Sequence, residues 1–258
     1  NSATMLDIRQ IPILSDNYSY LLKDTDTGAV AVIDPGVAGP ILQKSEELGW
    51  GITDIILTHH HYDHIDGVPE IKAKTGAKVT GPTKDNHRIA GMDHTVDGGD
   101  LFTFGNHTAN VFFVPGHTLG HIAYWFEQDK ILFPGDSLFA LGCGRLFEGT
   151  PEMMWQSLSQ YLSLPADTIV YAAHEYTLTN AEFSLTIDPE NQDLLQRVAN
   201  IKRLRQEDKP TVPFTIGEEL KTNPFLRPDD IKIRAELNMS SATNADVFKE
   251  IRLRKDNF

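Results

Sequence analysis

The sequence predicts an α/β body followed by a mainly helical segment, and three observations support that fold class. Short apolar runs of strand length alternate with stretches of helical spacing through the first part of the chain. Four of those runs lead directly into a metal-capable side chain, as sheet edges that carry ligand sites do. From about Asn180 onward the pattern becomes helical, and Pro210, Pro213, Pro224 and Pro228 interrupt it. The expected division is therefore residues 1–175 as a metal-binding body and 176–258 as a helical domain.

Taken in order, Tyr18–Lys23 and Ala29–Ile33 read as strands joined by the turn Asp24-Thr25-Asp26-Thr27-Gly28. Asp34-Pro35-Gly36 then ends the second strand, which turn chemistry alone explains. Ile41–Leu48 has helical spacing closed by Gly49. Ile55–Thr58 is a short buried strand, Gly67–Thr75 a helix stopped by Gly76, and Lys78–Thr80 another strand. Three later segments share one layout. Val111–Val114 runs into Pro115-Gly116-His117, Ile131–Phe133 into Pro134-Gly135-Asp136, and Thr168–Ala173 into His174. Beyond them, Leu194–Leu204 and Ala245–Arg254 have helical spacing, and 176–258 shows no convincing strand.

The densest chemistry lies in Thr58-His59-His60-His61-Tyr62-Asp63-His64, directly after Ile55-Ile56-Leu57. Imidazole and carboxylate together suit zinc, iron or manganese. His59 and His61 are two residues apart, so they cannot share a helix face, but an extended turn would point both the same way. Asp63 and His64 are adjacent and diverge, which places them poorly for the same ion. The economical reading is two metals, one on His59 and His61 and one on Asp63 and His64. A solvated histidine-rich turn is the bland alternative.

Composition narrows the function classes. The chain has 258 residues, 40% of them hydrophobic and 23% charged, which is ordinary for a soluble globular protein. No apolar stretch approaches the roughly 20 residues of a membrane helix, and the beginning lacks a signal-peptide layout. Cys143 is the only cysteine, so no internal disulfide can form and a cytoplasmic setting is expected. Residues 1–4, before Met5, are open to two readings, native sequence or a remnant added ahead of it. The net charge of −13 argues against a nucleic-acid partner. Residues 201–258 nevertheless hold 12 Lys+Arg against 10 Asp+Glu, which suits a segment that receives an anion.

His-x-His-x-Asp-His followed by His117, Asp136 and His174 resembles the metallo-β-lactamase superfamily. Gly142-Cys143-Gly144-Arg145-Leu146-Phe147-Glu148-Gly149, His174-Glu175-Tyr176-Thr177, Asn223-Pro224-Phe225-Leu226-Arg227 and Arg252-Leu253-Arg254-Lys255-Asp256 resemble one branch of it. That branch is glyoxalase II, the hydroxyacylglutathione hydrolases. The resemblance implies an αββα sandwich with a C-terminal helical domain and two divalent metal ions, zinc, iron or manganese. It puts His59, His61 and His117 on the first ion, Asp63, His64 and His174 on the second, and Asp136 between them. It also implies glutathione contacts from Arg145, Phe147, Tyr176, Arg252 and Lys255. Phe147 stands where many members have tyrosine, and Asp66 where glycine is usual.

The implied reaction is hydrolysis of S-lactoylglutathione to D-lactate and glutathione. Hydroxide made available between cations about 3.5–4 Å apart attacks the thioester carbonyl, with Asp63 helping to orient it. The expected partner is this glutathione thioester, with no nucleic acid and no membrane, and the expected form is a monomer. His121 reads as a buried hydrogen-bonding residue, and Cys143 as a small buried one rather than a nucleophile. Rival readings are a mononuclear iron glutathione persulfide dioxygenase, a β-lactamase or lactonase, and a non-catalytic metal-braced module. Closed four-coordinate sites are typical of metals that only brace a fold.

Overall fold

The computed structural model describes residues 5–258; residues 1–4, whose origin the sequence leaves open, lie outside them. The described residues form two compact units, one running to Phe113 and including Gly120–Gly135, the other Val114–Leu119 with Asp136–Phe258.

In the first unit, strand β1 (Leu6–Ile13), not expected from the sequence, pairs antiparallel with β2 (Asn17–Asp24), which pairs with β3 (Val30–Ile33). Helix α1 (Gly39–Leu48) follows, with Pro40 in its first turn and Gly49 at φ 68° as its stop. Strand β4 (Asp54–Ile56), helices α2 (Tyr62–Ile65) and α3 (Val68–Thr75), and strands β5 (Lys78–Pro82) and β6 (His94–Val96) complete a six-stranded mixed sheet. Its β3–β4–β5–β6 half is parallel, and β3 is buried along its whole length. That burial is why Val30–Ile33 is continuously apolar rather than alternating. Leu21, Val32, Ile55 and Val79 from the strands and Leu57 just after β4 meet Ile41 of α1 and Ile71 of α3 in one core. An antiparallel meander follows: β7 (Leu101–Phe104), β8 (His107–Phe113), β9 (Ile122–Phe126) and β10 (Ile131–Phe133).

The second unit opens with a tight hairpin, β11 (Leu138–Phe139) and β12 (Gly142–Cys143), turned at Leu141 with φ 57°. Helix α4 (Pro151–Ser159) is capped by the Thr150 hydroxyl, which accepts from the Met153 amide. The strand expected over Thr168–Ala173 is only β13 (Ile169–Val170). It pairs with β14 (Phe214–Thr215), a strand in the segment where the sequence shows none. Two residues are too few to display any period, which is why both ends of this pair escape pattern reading. The remaining helices are α5 (Thr177–Ile187), α6 (Gln192–Gln206), α7 (Ile216–Thr222), α8 (Ile231–Glu236) and α9 (Asn244–Asp256). Leu141, Ala181, Leu194, Val198 and Ile201 form a core under α5 and α6, and Trp155 of α4 meets Phe248 of α9 at 6.0 Å.

Candidate metal centre

In the first unit, β4 ends at Ile56 and hands the chain to an extended turn whose last residue, His61, lies at φ −60°, ψ 143°. Extended backbone lets His59 and His61 project together, and their rings lie 4.9 Å apart. Helix α2 starts at the next residue, so Asp63 and His64 sit in its first turns. Buried groups orient these side chains. The Thr58 hydroxyl donates to Asp34 Oδ2 at 2.6 Å, which leaves it to accept from His59 Nδ1 at 2.9 Å. His64 Nδ1 donates to the same Asp34 oxygen at 2.8 Å. Both rings are thereby set as Nδ1–H tautomers, with Nε2 as the nitrogen that could hold a metal.

The turn Asp34-Pro35-Gly36 therefore does more than end a strand. Asp34 is buried at φ 49° and orients the motif with both carboxylate oxygens. A Cβ on Gly36 would come within 2.0 Å of the Asp63 carbonyl, so the loop backs directly onto the ligand segment. Asn17, at the start of β2, donates to Asp63 Oδ2 at 3.0 Å. His121 is buried and stacks on His59 at 4.4 Å, in keeping with a supporting role. Asp66 is exposed, with right-handed backbone at φ −64°, so glycine is not required there.

In the second unit, the Arg145 carbonyl accepts from His117 Nδ1 at 2.7 Å, again making Nε2 the nitrogen that could hold a metal. Asp136 lies between two histidines. Its Oδ2 is 3.3 Å from His117 Nε2 and its Oδ1 is 3.2 Å from His174 Nε2. In the first unit, Asp63 Oδ2 is 3.4 Å from His64 Nε2. Two ligands about 2.0–2.2 Å from one tetrahedral ion stand roughly 3.3–3.6 Å apart, so all three separations are those of neighbouring ligands. A neutral ring facing a carboxylate presents acceptor to acceptor, an arrangement that a cation between them resolves. The donor set fits divalent metal, and histidine and aspartate clusters able to bind metal ions are present. Asp34, His59 and His64 also form a close buried group, but the Asp34 oxygens are committed to Thr58 and His64 Nδ1.

Around His117 and His174 lie the residues expected to contact substrate. The exposed Phe147 ring meets His117 edge-on at 5.2 Å, and Tyr176 stacks on His174 at 4.7 Å with Phe139 against both. Arg145 is exposed on one side of Asp256. Arg252 is 5% exposed, with its guanidinium donating to the Cys143 carbonyl at 2.8 Å and to Asp256 at 2.9 Å. Burial, then the neighbouring Arg252 and Arg145 cations, push the Lys255 ammonium below its ordinary value. Cys143 is buried, which raises its thiol and disfavours a nucleophilic thiolate.

Fold and donor set together define a protein of the metallo-β-lactamase superfamily, whose family model, "Metallo-beta-lactamase superfamily", matches residues 14–174. The fold is shared with the crystal structure of ETHE1 from Myxococcus xanthus, at a TM-score of 0.69 and 24% identity, covering 96% of this chain and 90% of that one. A second model, "Hydroxyacylglutathione hydrolase C-terminus", matches residues 175–258. The hydroxyacylglutathione hydrolase of Methylococcus capsulatus is 52% identical over 98% of this chain and 99% of its own. That of Maricaulis maris is 53% identical over 97% and 98%. The chain belongs to the hydroxyacylglutathione hydrolase family.

Proposed function

We propose that this chain is a binuclear thioester hydrolase that converts S-lactoylglutathione and water to D-lactate and glutathione. The observation that carries the reading is Asp136, whose two oxygens each face the Nε2 of a different histidine, as a carboxylate shared by two ions would. The donors within each unit support it: His59, His61, Asp63 and His64 leave one strand-to-helix turn, and His117 and His174 flank Asp136. Zinc, iron and manganese all accept such ligands. When bound, the ions supply Lewis acidity that lowers the pKa of water and stabilises charge on the thioester oxygen.

The chain's own residues do the rest. Asp63, held by Asn17, orients the nucleophilic water, and Asp136 fixes the spacing of the histidines on either side. Arg145 and Lys255 supply positive charge for the glutathione carboxylates on a chain whose net charge is −13. Arg252 adds to that potential while holding Cys143, and Tyr176 and Phe147 offer aromatic faces beside His174 and His117. The thiolate product is a good leaving group, so no strong protein acid is required. The division into a catalytic body, 1–175, and a glutathione-binding domain, 176–258, belongs to the same reading, supported by the separate family matches at 14–174 and 175–258. So does a cytoplasmic monomer, in keeping with a lone buried cysteine and with every assigned residue lying on one chain. Among the described residues no helix is long and apolar enough to cross a membrane.

The test is thiol release from S-lactoylglutathione by metal-replete protein, before and after chelation. Release that chelation abolishes supports the proposal; a two-metal preparation that releases none overturns it. The C-terminal family match disfavours the persulfide dioxygenase reading.

A further inference from the structure

The hairpin β11–β12 carries five consecutive backbone carbonyls, and each accepts a hydrogen bond from a side chain of the helical segment. Asn223 Nδ2 donates to Phe139 O at 3.3 Å and Gly142 O at 3.1 Å. Asn180 Nδ2 donates to Ala140 O at 3.2 Å, Ser184 Oγ to Leu141 O at 3.5 Å, and Arg252 Nη1 to Cys143 O at 2.8 Å. The turn amide is held too, since Leu141 N donates to Glu219 Oε2 at 2.9 Å, and that oxygen also accepts from Asn223 at 3.0 Å. Glu219 and Asn223 are both fully buried, and Glu219 is ion-paired with Arg197. A buried carboxylate with a cationic partner and two amide donors is costly to assemble. Its whole hydrogen-bonding capacity toward the hairpin is spent on positioning backbone.

What that backbone positions is catalytic. Leu138 lies two residues after Asp136, and Gly144, one residue after β12, passes so close that a Cβ there would be 1.9 Å from the Asp136 carbonyl. Arg145 then supplies the carbonyl that sets the His117 tautomer. Phe139, in the first strand, packs against both His174 and Tyr176. The hairpin and the two residues after it therefore reach His117, Asp136 and His174.

We infer that Asn223 and Glu219 are positioning residues, which set His117, Asp136 and His174 by clamping the hairpin Leu138–Cys143 from the helical segment. The inference deepens the hydrolase reading and rests on it for the meaning of the metal site. Neither residue touches substrate, so loss of the clamp appears first in the donors. Asn223→Ala and the near-isosteric Glu219→Gln are compared with Ile233→Ala, a buried α8 residue outside the clamp. Metal affinity is measured by competition with a chromophoric chelator, ligand geometry by the absorption of the cobalt(II)-loaded protein, and turnover separately, all well below each variant's Tm. The two clamp variants should bind metal about 10–100-fold more weakly, with a changed cobalt spectrum and a lowered kcat. Ile233→Ala should lose stability while keeping affinity and spectrum. If Asn223→Ala does not fold, Asn180→Ala, which releases only the Ala140 carbonyl, takes its place with a smaller shift in the same direction. Wild-type affinity and spectrum in the clamp variants would overturn the inference, as would equal loss in Ile233→Ala. Absence of thioesterase activity in the wild type would overturn the hydrolase reading alone, because affinity and spectrum are read without turnover.

Discussion

Gly144→Ala should disable the enzyme through a single methyl group. A Cβ at this position would stand 1.9 Å from the Asp136 carbonyl oxygen and 3.0 Å from His117 Nδ1, and real Cβ atoms essentially never approach closer than 3.0 Å. The backbone of Gly144 or Asp136 must therefore move by at least about 1.1 Å, since both close atoms of Asp136 are main chain and no rotamer can relieve them. Asp136 sits between His117 and His174 at 3.3 and 3.2 Å, so such a shift exceeds the tolerance of the ligand geometry. A displacement of about 1 Å at a reacting centre costs on the order of 100-fold in rate. Gly51→Ala is the matched control, because nothing lies within 4 Å of the added methyl and its backbone is unstrained. The assay is kcat/KM for S-lactoylglutathione with metal content measured on the same samples. Metal-replete Gly144→Ala with kcat/KM within threefold of wild type would refute the reasoning.

Three further outcomes are expected. Asp34→Asn replaces the carboxylate that accepts from His64 Nδ1 and from Thr58, so metal affinity should fall about 10–100-fold, read by chelator competition; unchanged affinity would remove Asp34 from that role. Lys255 loses its proton below the usual lysine range, because burial and its cationic neighbours disfavour the charged form. KM for the anionic thioester should consequently rise as pH climbs on the alkaline side, and Lys255→Arg, charged throughout, should flatten the rise in a steady-state pH profile. Arg252→Ala should raise KM more than it lowers kcat, and should also lower stability by about 1–3 kcal/mol in denaturant unfolding, because the Cys143 carbonyl loses its buried donor.

Much of the proposed donor set is legible in the sequence because metal chemistry selects rare residue types at fixed offsets. His59, His61, Asp63 and His64 lie in one strand-to-helix turn, and the turn's extended backbone is what the two-residue spacing demands. Their supports are not legible in that way. Asp34 and Asn17 reach the motif from positions 30 and 46 residues distant, and either residue is equally at home in an ordinary turn. Arg252 illustrates a second limit. Its charge suggests a solvated helix face, yet it follows Phe248 by one turn of α9 and shares that buried face with Val247 and Ile251. The hairpin clamp was invisible because its acceptors are backbone carbonyls, which carry no side-chain signature, and its donors are common polar residues on helices. In the fold, the helices with glycine stops at Gly49 and Gly76 were readable from local punctuation. Strands β1, β13 and β14 owe their existence to partners elsewhere in the chain.

The five clamped carbonyls bear on modularity. All of their donors, from Asn180 to Arg252, lie beyond residue 175. A truncated version lacking that tail would lose every side-chain donor that fixes the hairpin and would open its buried residues, Leu138 to Cys143, to water. The tail is therefore an integral part of the scaffold rather than an exchangeable accessory, and grafting it onto another catalytic body would require transplanting the hairpin with it.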